Sequence, residues 1–355
     1  QPEIAMQAAD EDAAGTALPN GVDPLTLDGL VQLNDGNWYY MQNCRVSGAA
    51  NKTVKPAGGS WWYVGGCRVD FSYTGFGRNG TDNWYVQNGQ VQFGYTGIVT
   101  AKDETNRTYV CYVTNGRLDT DYTGLAYGTV DGVEGWYNFH DGYNFHEGYL
   151  NKGKELVEYN GAWWYVSDER KVDFSYTGIA YNEAGGWYVR NGQVDFSYSG
   201  CVAANGNTRY WRRYYLVENG RLRKEVSGLV QATVEGVTGW WKIDQGVITV
   251  QSGGSETFLV YYNGDWWYVL NSGQVDFSFT GLKGYNGETW YVENGRVNFD
   301  KTGFVNLSGD ATTRYTYIQN GHPLPYGFSG LFYAELDGKT TWWQIEEGHC
   351  DYYGG

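Results

Sequence analysis

Trp187-Tyr188-Val189-Arg190-Asn191-Gly192-Gln193-Val194-Asp195-Phe196-Ser197-Tyr198-Ser199-Gly200 is the phrase that governs the whole chain. Trp-Tyr-Val and Val-Asp-Phe-Ser-Tyr are β-favouring runs with alternating character. Between them lies Asn-Gly, which suits a type I′ turn because both central residues of that turn need positive φ. The phrase therefore reads as a β-hairpin. Clear copies run from Trp62 to Gly75, Trp164 to Gly178 and Trp267 to Gly281. Looser copies run from Trp84 to Gly97, Tyr112 to Gly124, Tyr215 to Gly228, Trp290 to Gly303 and Tyr317 to Gly330. One apolar residue follows each closing glycine: Phe76, Ile98, Leu125, Ile179, Cys201, Leu229, Leu282, Phe304 or Leu331. That position is expected to plug the core.

A longer period lies above the short one. Trp84, Trp187 and Trp290 stand 103 residues apart, and the series Trp61, Trp163, Trp266 and Trp136, Trp240, Trp342 keep nearly the same spacing. The expected fold class is all-β: tandem β-hairpin repeats in a solenoid-like array, with three super-repeats of about 103 residues and four aromatic units each. The expected divisions are an Ala-rich, acidic, disordered tail over 1–26, a first repeat unit over 27–58, and blocks over 59–151, 152–253 and 254–355.

Composition agrees with many turns between short aromatic strands. Glycine accounts for 52 of 355 residues, and Trp, Tyr and Phe number 16, 33 and 14. Lys and Arg total 25 against 40 Asp and Glu, a net charge of -15. Such a balance argues against nucleic acid, whose phosphates need a cationic face, and against docking on anionic lipid. No stretch approaches the roughly 20 apolar residues of a membrane-spanning helix, and no basic and apolar signal segment opens the chain.

The repeated phrase resembles the cell wall-binding repeat superfamily: choline-binding and glucan-binding modules of Gram-positive surface proteins, and the C-terminal repeats of clostridial toxins. The shared motif is an aromatic doublet, Asn-Gly, a hydrophobic residue and then Thr-Gly. It stands here as Trp187-Tyr188 with Asn191-Gly192, Val194 and Ser199-Gly200, and as Trp290-Tyr291 with Asn294-Gly295, Val297 and Thr302-Gly303. The resemblance spans residues 28–355. It implies a secreted or cell-surface bacterial protein, not an enzyme, without cofactor, that binds a cell-wall polymer or glycan multivalently. The alternative is an adhesin whose repeats bind a host surface or serum protein. Choline-holding members of the superfamily use a Trp directly after Thr-Gly. Residues such as Phe76, Ile98 and Leu229 occupy that position here, so the resemblance implies sugar stacking rather than choline.

The candidate ligand-binding aromatics are Trp61, Trp62, Trp84, Trp163, Trp164, Trp187, Trp240, Trp266, Trp267, Trp290 and Trp342. Five of these residues open a Trp-Trp doublet. Adjacent strand residues face opposite ways. One Trp of each doublet is thus expected in the core and the other exposed or in a groove, unless neighbouring hairpins bury both. Asp70, Asp173, Asp195 and Asp276 recur as a repeat consensus and read as exposed strand residues that protect an edge, not as a catalytic pair. Equivalent turn positions make Cys44 and Cys67 a candidate disulfide. His140 and His146 sit in a small duplication and read as turn-flanking rather than metal-binding.

Overall fold

The computed structural model describes residues 29–33, 35–42, 45–46, 53–57, 59–102, 108–145, 154–307 and 314–351. The expected tail over 1–26 therefore lies outside the described residues, as do Cys44 and His146. Every regular element among the described residues is a β-strand. The chain forms two compact units: Gln1–Tyr176 with Asn191–Gln193, and Thr177–Arg190 with Val194–Gly355.

One repeat of the second unit shows the construction. Gly281–Tyr285 pairs antiparallel with Glu288–Glu293, Gly281 opposite Val292 and Tyr285 opposite Glu288. The chain then turns at Asn294-Gly295 into the short strand Arg296–Val297, which pairs back on Val292 and Glu293. Arg296 also pairs with Trp267 of the preceding repeat. The short strand thus stitches each repeat to the one before it. The first unit repeats the device at Tyr39 with Arg68, Trp62 with Gln90 and Trp84 with Arg117.

Asn-Gly adopts the expected turn, with both residues at positive φ: Asn191 and Gly192 at 51° and 79°, Asn294 and Gly295 at 51° and 76°. A second family of positive-φ pairs closes the longer hairpins, including Asn160-Gly161, Asn263-Gly264 and Asn286-Gly287. Valine of each Trp-Tyr-Val forms the core: Val64, Val86, Val189, Val269 and Val292 are completely buried. The apolar residue after the closing glycine is buried at Ile98, Leu125 and Leu229. Phe76, Ile179, Cys201, Leu282 and Phe304 are only half-buried. Leu331, on the last described hairpin, is 65% exposed.

The Asp-Phe-Ser-Tyr segment departs from the strand reading. It is a turn, and the aspartate builds it. Asp173 Oδ1 accepts the Ser175 amide at 2.9 Å and the Ser175 hydroxyl at 2.6 Å. Asp70, Asp195 and Asp276 make the same pair of bonds to Ser72, Ser197 and Ser278. A short polar side chain that bonds its own backbone two residues on outcompetes a strand ladder there. The tyrosine that ends the segment stacks on the Trp-Tyr-Val tyrosine, at 3.6 Å for Tyr63–Tyr73 and 3.8 Å for Tyr165–Tyr176. The Tyr73 hydroxyl donates to the Phe76 carbonyl at 2.8 Å, and Tyr95 and Tyr122 bond equivalently to Ile98 and Leu125.

Asp173→Ala is expected to cost about 1 kcal/mol, the ordinary worth of such bonds. Acid has a further effect. Hydrogen bonds from Ser175 hold the Asp173 carboxyl below its ordinary range, and those from Ser197 do so for Asp195. A lowered native pKa adds stability that is complete above the ordinary carboxylate value and lost as pH falls through the lowered one. Asp173→Asn keeps an acceptor, as Asn298 Oδ1 does for the Asp300 amide at 3.1 Å, but cannot titrate. Its melting temperature should fall less than that of the parent between pH 6 and pH 3. Identical acid profiles would refute this account.

Candidate functional site

The Trp-Trp doublets show what the alternation of a strand becomes inside a repeat array. Both residues of Trp61-Trp62, Trp163-Trp164 and Trp266-Trp267 are half-buried, which fits the alternative in which neighbouring hairpins cover both rather than one Trp in the core and one exposed. Neighbouring repeats explain the difference. The first Trp points forward to the next repeat: Trp61 packs with Trp84, and Trp266 shares a cavity with Trp290. The second points back: Trp62 packs with Trp38 on the Leu30 and Val64 cluster, Trp164 with Trp136 on the Leu125, Val166 and Val172 cluster, and Trp267 shares a cavity with Trp240. At Trp61-Trp62 and Trp266-Trp267 each face of the strand is thus covered by a different neighbour. Trp240-Trp241 divides more as expected, with Trp241 buried at 4% and Trp240 half-buried.

Two congruent aromatic cages result in the second unit. The first, of about 210 Å³, is walled by Trp266, Tyr285, Trp290 and Phe299, with buried Leu259 and Val297 beneath and exposed Asn286 and Glu288 at its mouth. The second, of about 200 Å³, repeats it one repeat earlier: Trp240, Tyr262, Trp267 and Phe277 form the walls, Leu229 and Val275 the base, Asn263 and Asp265 the mouth. The rings meet edge-on or tilted: Trp266–Tyr285 at 4.9 Å, Trp290–Phe299 at 5.0 Å, Trp240–Tyr262 at 6.0 Å and Trp267–Phe277 at 5.8 Å. Three indole nitrogens of the backward-pointing class bond to the preceding strand of their own hairpin. Trp267 Nε1 donates to the Tyr262 carbonyl at 3.2 Å, Trp164 Nε1 to the Tyr159 carbonyl at 3.4 Å, and Trp187 Nε1 to Asn182 Oδ1 at 3.0 Å.

The first unit carries the same ring set around Trp136, Tyr159, Trp164 and Phe174, with Trp136–Tyr159 at 5.0 Å and Trp164–Phe174 at 5.7 Å. Leu125 and Val172 lie beneath it. Around Trp61, Trp84 and Phe93 the three rings instead contact one another, at 5.8, 5.5 and 5.2 Å. The strand that carries Trp187 has Gly186 at the forward position. Trp187 meets Phe196 edge-on at 5.6 Å and lies under the Arg221 guanidinium at 5.9 Å. Trp163 is half-buried opposite Glu158. Trp342 is 63% exposed, its ring 5.5 Å from Tyr333.

Several cage residues escaped the sequence reading. Trp136 belonged to a visible series with Trp240 and Trp342, and that spacing could have found it. Tyr159, Tyr262 and Tyr285 sit on the strand before the doublet, where no motif marks them. The turn phenylalanines Phe71, Phe93, Phe174, Phe196, Phe277 and Phe299 are 41–51% exposed, and their repetition at an exposed place was the available signal. Among the described residues, Cys67, Cys111, Cys201 and Cys350 are free thiols, and burial pushes the Cys111 thiol up to about 12. Cys44, the partner expected for Cys67, lies outside the described residues.

Comparison with known proteins finds its match in the repeats. No curated protein sequence matches the chain. Among solved structures the chain is similar to CbpJ from Streptococcus pneumoniae TIGR4, at 16% identity, a TM-score of 0.25, and coverage of 90% of this chain and 99% of CbpJ. The choline-binding repeat family matches residues 28–46, 72–92, 156–168, 175–195, 259–272 and 278–298. On these segments, spread through both units, the chain carries choline-binding repeats of the cell wall-binding kind.

Proposed function

We propose that this chain is a multivalent binding module of the bacterial surface that holds a choline-bearing cell-wall polymer, one trimethylammonium group per aromatic cage. The observation that carries the reading is the pair of congruent cages at Trp266–Trp290 and Trp240–Trp267, each walled by four aromatic rings. A trimethylammonium group has no hydrogen-bond donor to offer. Its recognition falls to dispersion and to the negative faces of aromatic rings, worth about 0.5–2 kcal/mol per ring. Two Trp, one Tyr and one Phe around a cavity of about 200 Å³ meet that need. The Trp missing after Thr-Gly does not empty the cage. Leu229 occupies that position at the base, and the forward Trp of the same repeat, Trp240, provides the ring.

Titration of the full chain with choline, followed by tryptophan fluorescence, tests the reading. Saturable quenching with a dissociation constant on the order of millimolar is expected from a few such contacts. Trp266→Leu keeps apolar bulk but removes a ring face, and should lower the quench amplitude. Saturation by N-acetylglucosamine with no response to choline would replace choline with the glycan of the polymer as the ligand.

A further inference from the structure

The cages share their rings but differ in charge at the mouth. Glu288 lines the Trp266 cage, and no cation lies within ion-pair distance of it among the described residues. His322 stands where a basic partner would come from; its ring lies tilted against Trp290 at 3.7 Å, and its Nδ1 meets the Thr289 carbonyl at 3.0 Å. Asp265 lines the Trp240 cage, but Arg296 Nη1 lies 3.5 Å from Asp265 Oδ2. One super-repeat earlier, Ala162 and Gln193 replace both members of that ion pair. Ala162 lies opposite Tyr159 as Asp265 lies opposite Tyr262. Gln193 pairs with Trp164 as Arg296 pairs with Trp267. The rings Trp136, Tyr159, Trp164 and Phe174 are unchanged in type.

Resting on the reading of the cages as trimethylammonium sites, we infer that the residue at the mouth sets each cage's preference for a cation over a neutral group of the same shape. Glu288 makes the Trp266 cage the most cation-selective, Asp265 gives the Trp240 cage an intermediate preference, and the equivalent ring set at Trp136, read as a third cage, is the most tolerant of a neutral group. Ring faces attract a cation in all three. A free carboxylate a few ångströms away adds a Coulomb attraction that, at a wet mouth, is worth about fivefold in affinity. Arg296 beside Asp265 cancels part of that attraction. Ala162 supplies none. A polymer that bears both choline and sugar would then find sites suited to each along one chain.

The test compares choline with 3,3-dimethylbutan-1-ol, which places carbon where choline has its charged nitrogen. The full chain, labelled with 5-fluorotryptophan, is titrated with each, and fluorine resonances assigned by single Trp→Phe variants report every cage separately. The choline-to-alcohol affinity ratio is expected to be highest at Trp266 and Trp290 and lowest at Trp136 and Trp164. Glu288→Gln should lower the first ratio about fivefold and leave the alcohol's affinity unchanged. Ala162→Asp should raise the last. Equal ratios at all three cages, unmoved by Glu288→Gln, would overturn the inference while the cages remain choline sites. No response of any cage to either ligand would overturn the cage reading and this inference with it.

Discussion

Gly295→Ala is expected to destabilise the second unit by about 2–5 kcal/mol, a large share of the ~5–15 kcal/mol that holds a typical domain together. Two separate costs combine. Gly295 sits at φ 76°, where an L-residue pays about 1–2 kcal/mol. It is also packed against the preceding repeat: a Cβ there would lie 2.5 Å from the Asp276 carbonyl oxygen and 2.9 Å from the Phe277 Cα. Both neighbours are backbone, so nothing flexible can give way, and overpacking costs a further ~1–3 kcal/mol. The glycine cannot retreat either. Its amide donates to the Phe279 carbonyl at 2.9 Å, and its carbonyl accepts the Tyr268 amide at 2.8 Å. Gly236→Ala isolates the first cost. Gly236 has a similar φ of 81°, and nothing lies within 4 Å of the place its Cβ would take. Urea unfolding should place Gly236→Ala about 1 kcal/mol below the parent and Gly295→Ala well below that. Equal losses would mean that the close approach of successive repeats contributes nothing.

The same docking recurs at Gly89 on Asp70 and Phe71, Gly192 on Asp173 and Phe174, and Gly220 on Asp195 and Phe196. The glycine of Asn-Gly thus answers two demands at once, the turn within a repeat and the contact between repeats. Only the first is visible in a sequence. A positive-φ pair is a local property, and Asn-Gly announces it. Which backbone lies against the glycine is a property of the neighbouring repeat.

That distinction divides what the sequence made legible from what it did not. Trp-Tyr-Val, Asn-Gly and the 103-residue period are local or periodic signals, and the hairpin array followed from them. The strand Gly281–Tyr285 was not legible, because Gly281-Leu282-Lys283-Gly284 carries no strand signature and owes its form to pairing with Glu288–Glu293. Phe277 and Phe279 suggested a strand by type, but Asp276 and Ser278 hold that segment in a turn. For the Trp doublets, alternation correctly separated the two faces. The sequence named neighbouring hairpins as what could cover both Trp residues, but not which rings they bring, and those rings turn an exposed platform into the wall of a cage. The candidate residues therefore included Trp240, Trp266, Trp267 and Trp290 but missed the Tyr and Phe rings that complete the enclosures.

Trp240→Leu combined with Trp266→Leu is expected to reduce retention on choline-bearing cell walls by about 100-fold or more, although each substitution removes one weak site. Linkage between sites accounts for the excess. Both cages lie in the second unit, one repeat apart. Once one cage holds a polymer's choline, the next choline on that polymer reaches the second cage at an effective concentration on the order of millimolar, and linkage of this kind raises avidity by about 10²–10⁴. Free choline gains nothing from linkage, because it meets each cage singly. The double variant should thus keep unchanged choline affinity at its remaining cages and lose wall retention far more steeply than it loses sites. Leucine is chosen over alanine because truncating a half-buried Trp to Ala removes packing at a cost of ~3–5 kcal/mol, which would confuse lost ligand with lost fold. Unchanged melting of the double variant checks that the packing survives. A loss of wall retention merely proportional to the loss of cages would show that the cages act independently, and would sink the multivalent reading while leaving each cage a choline site.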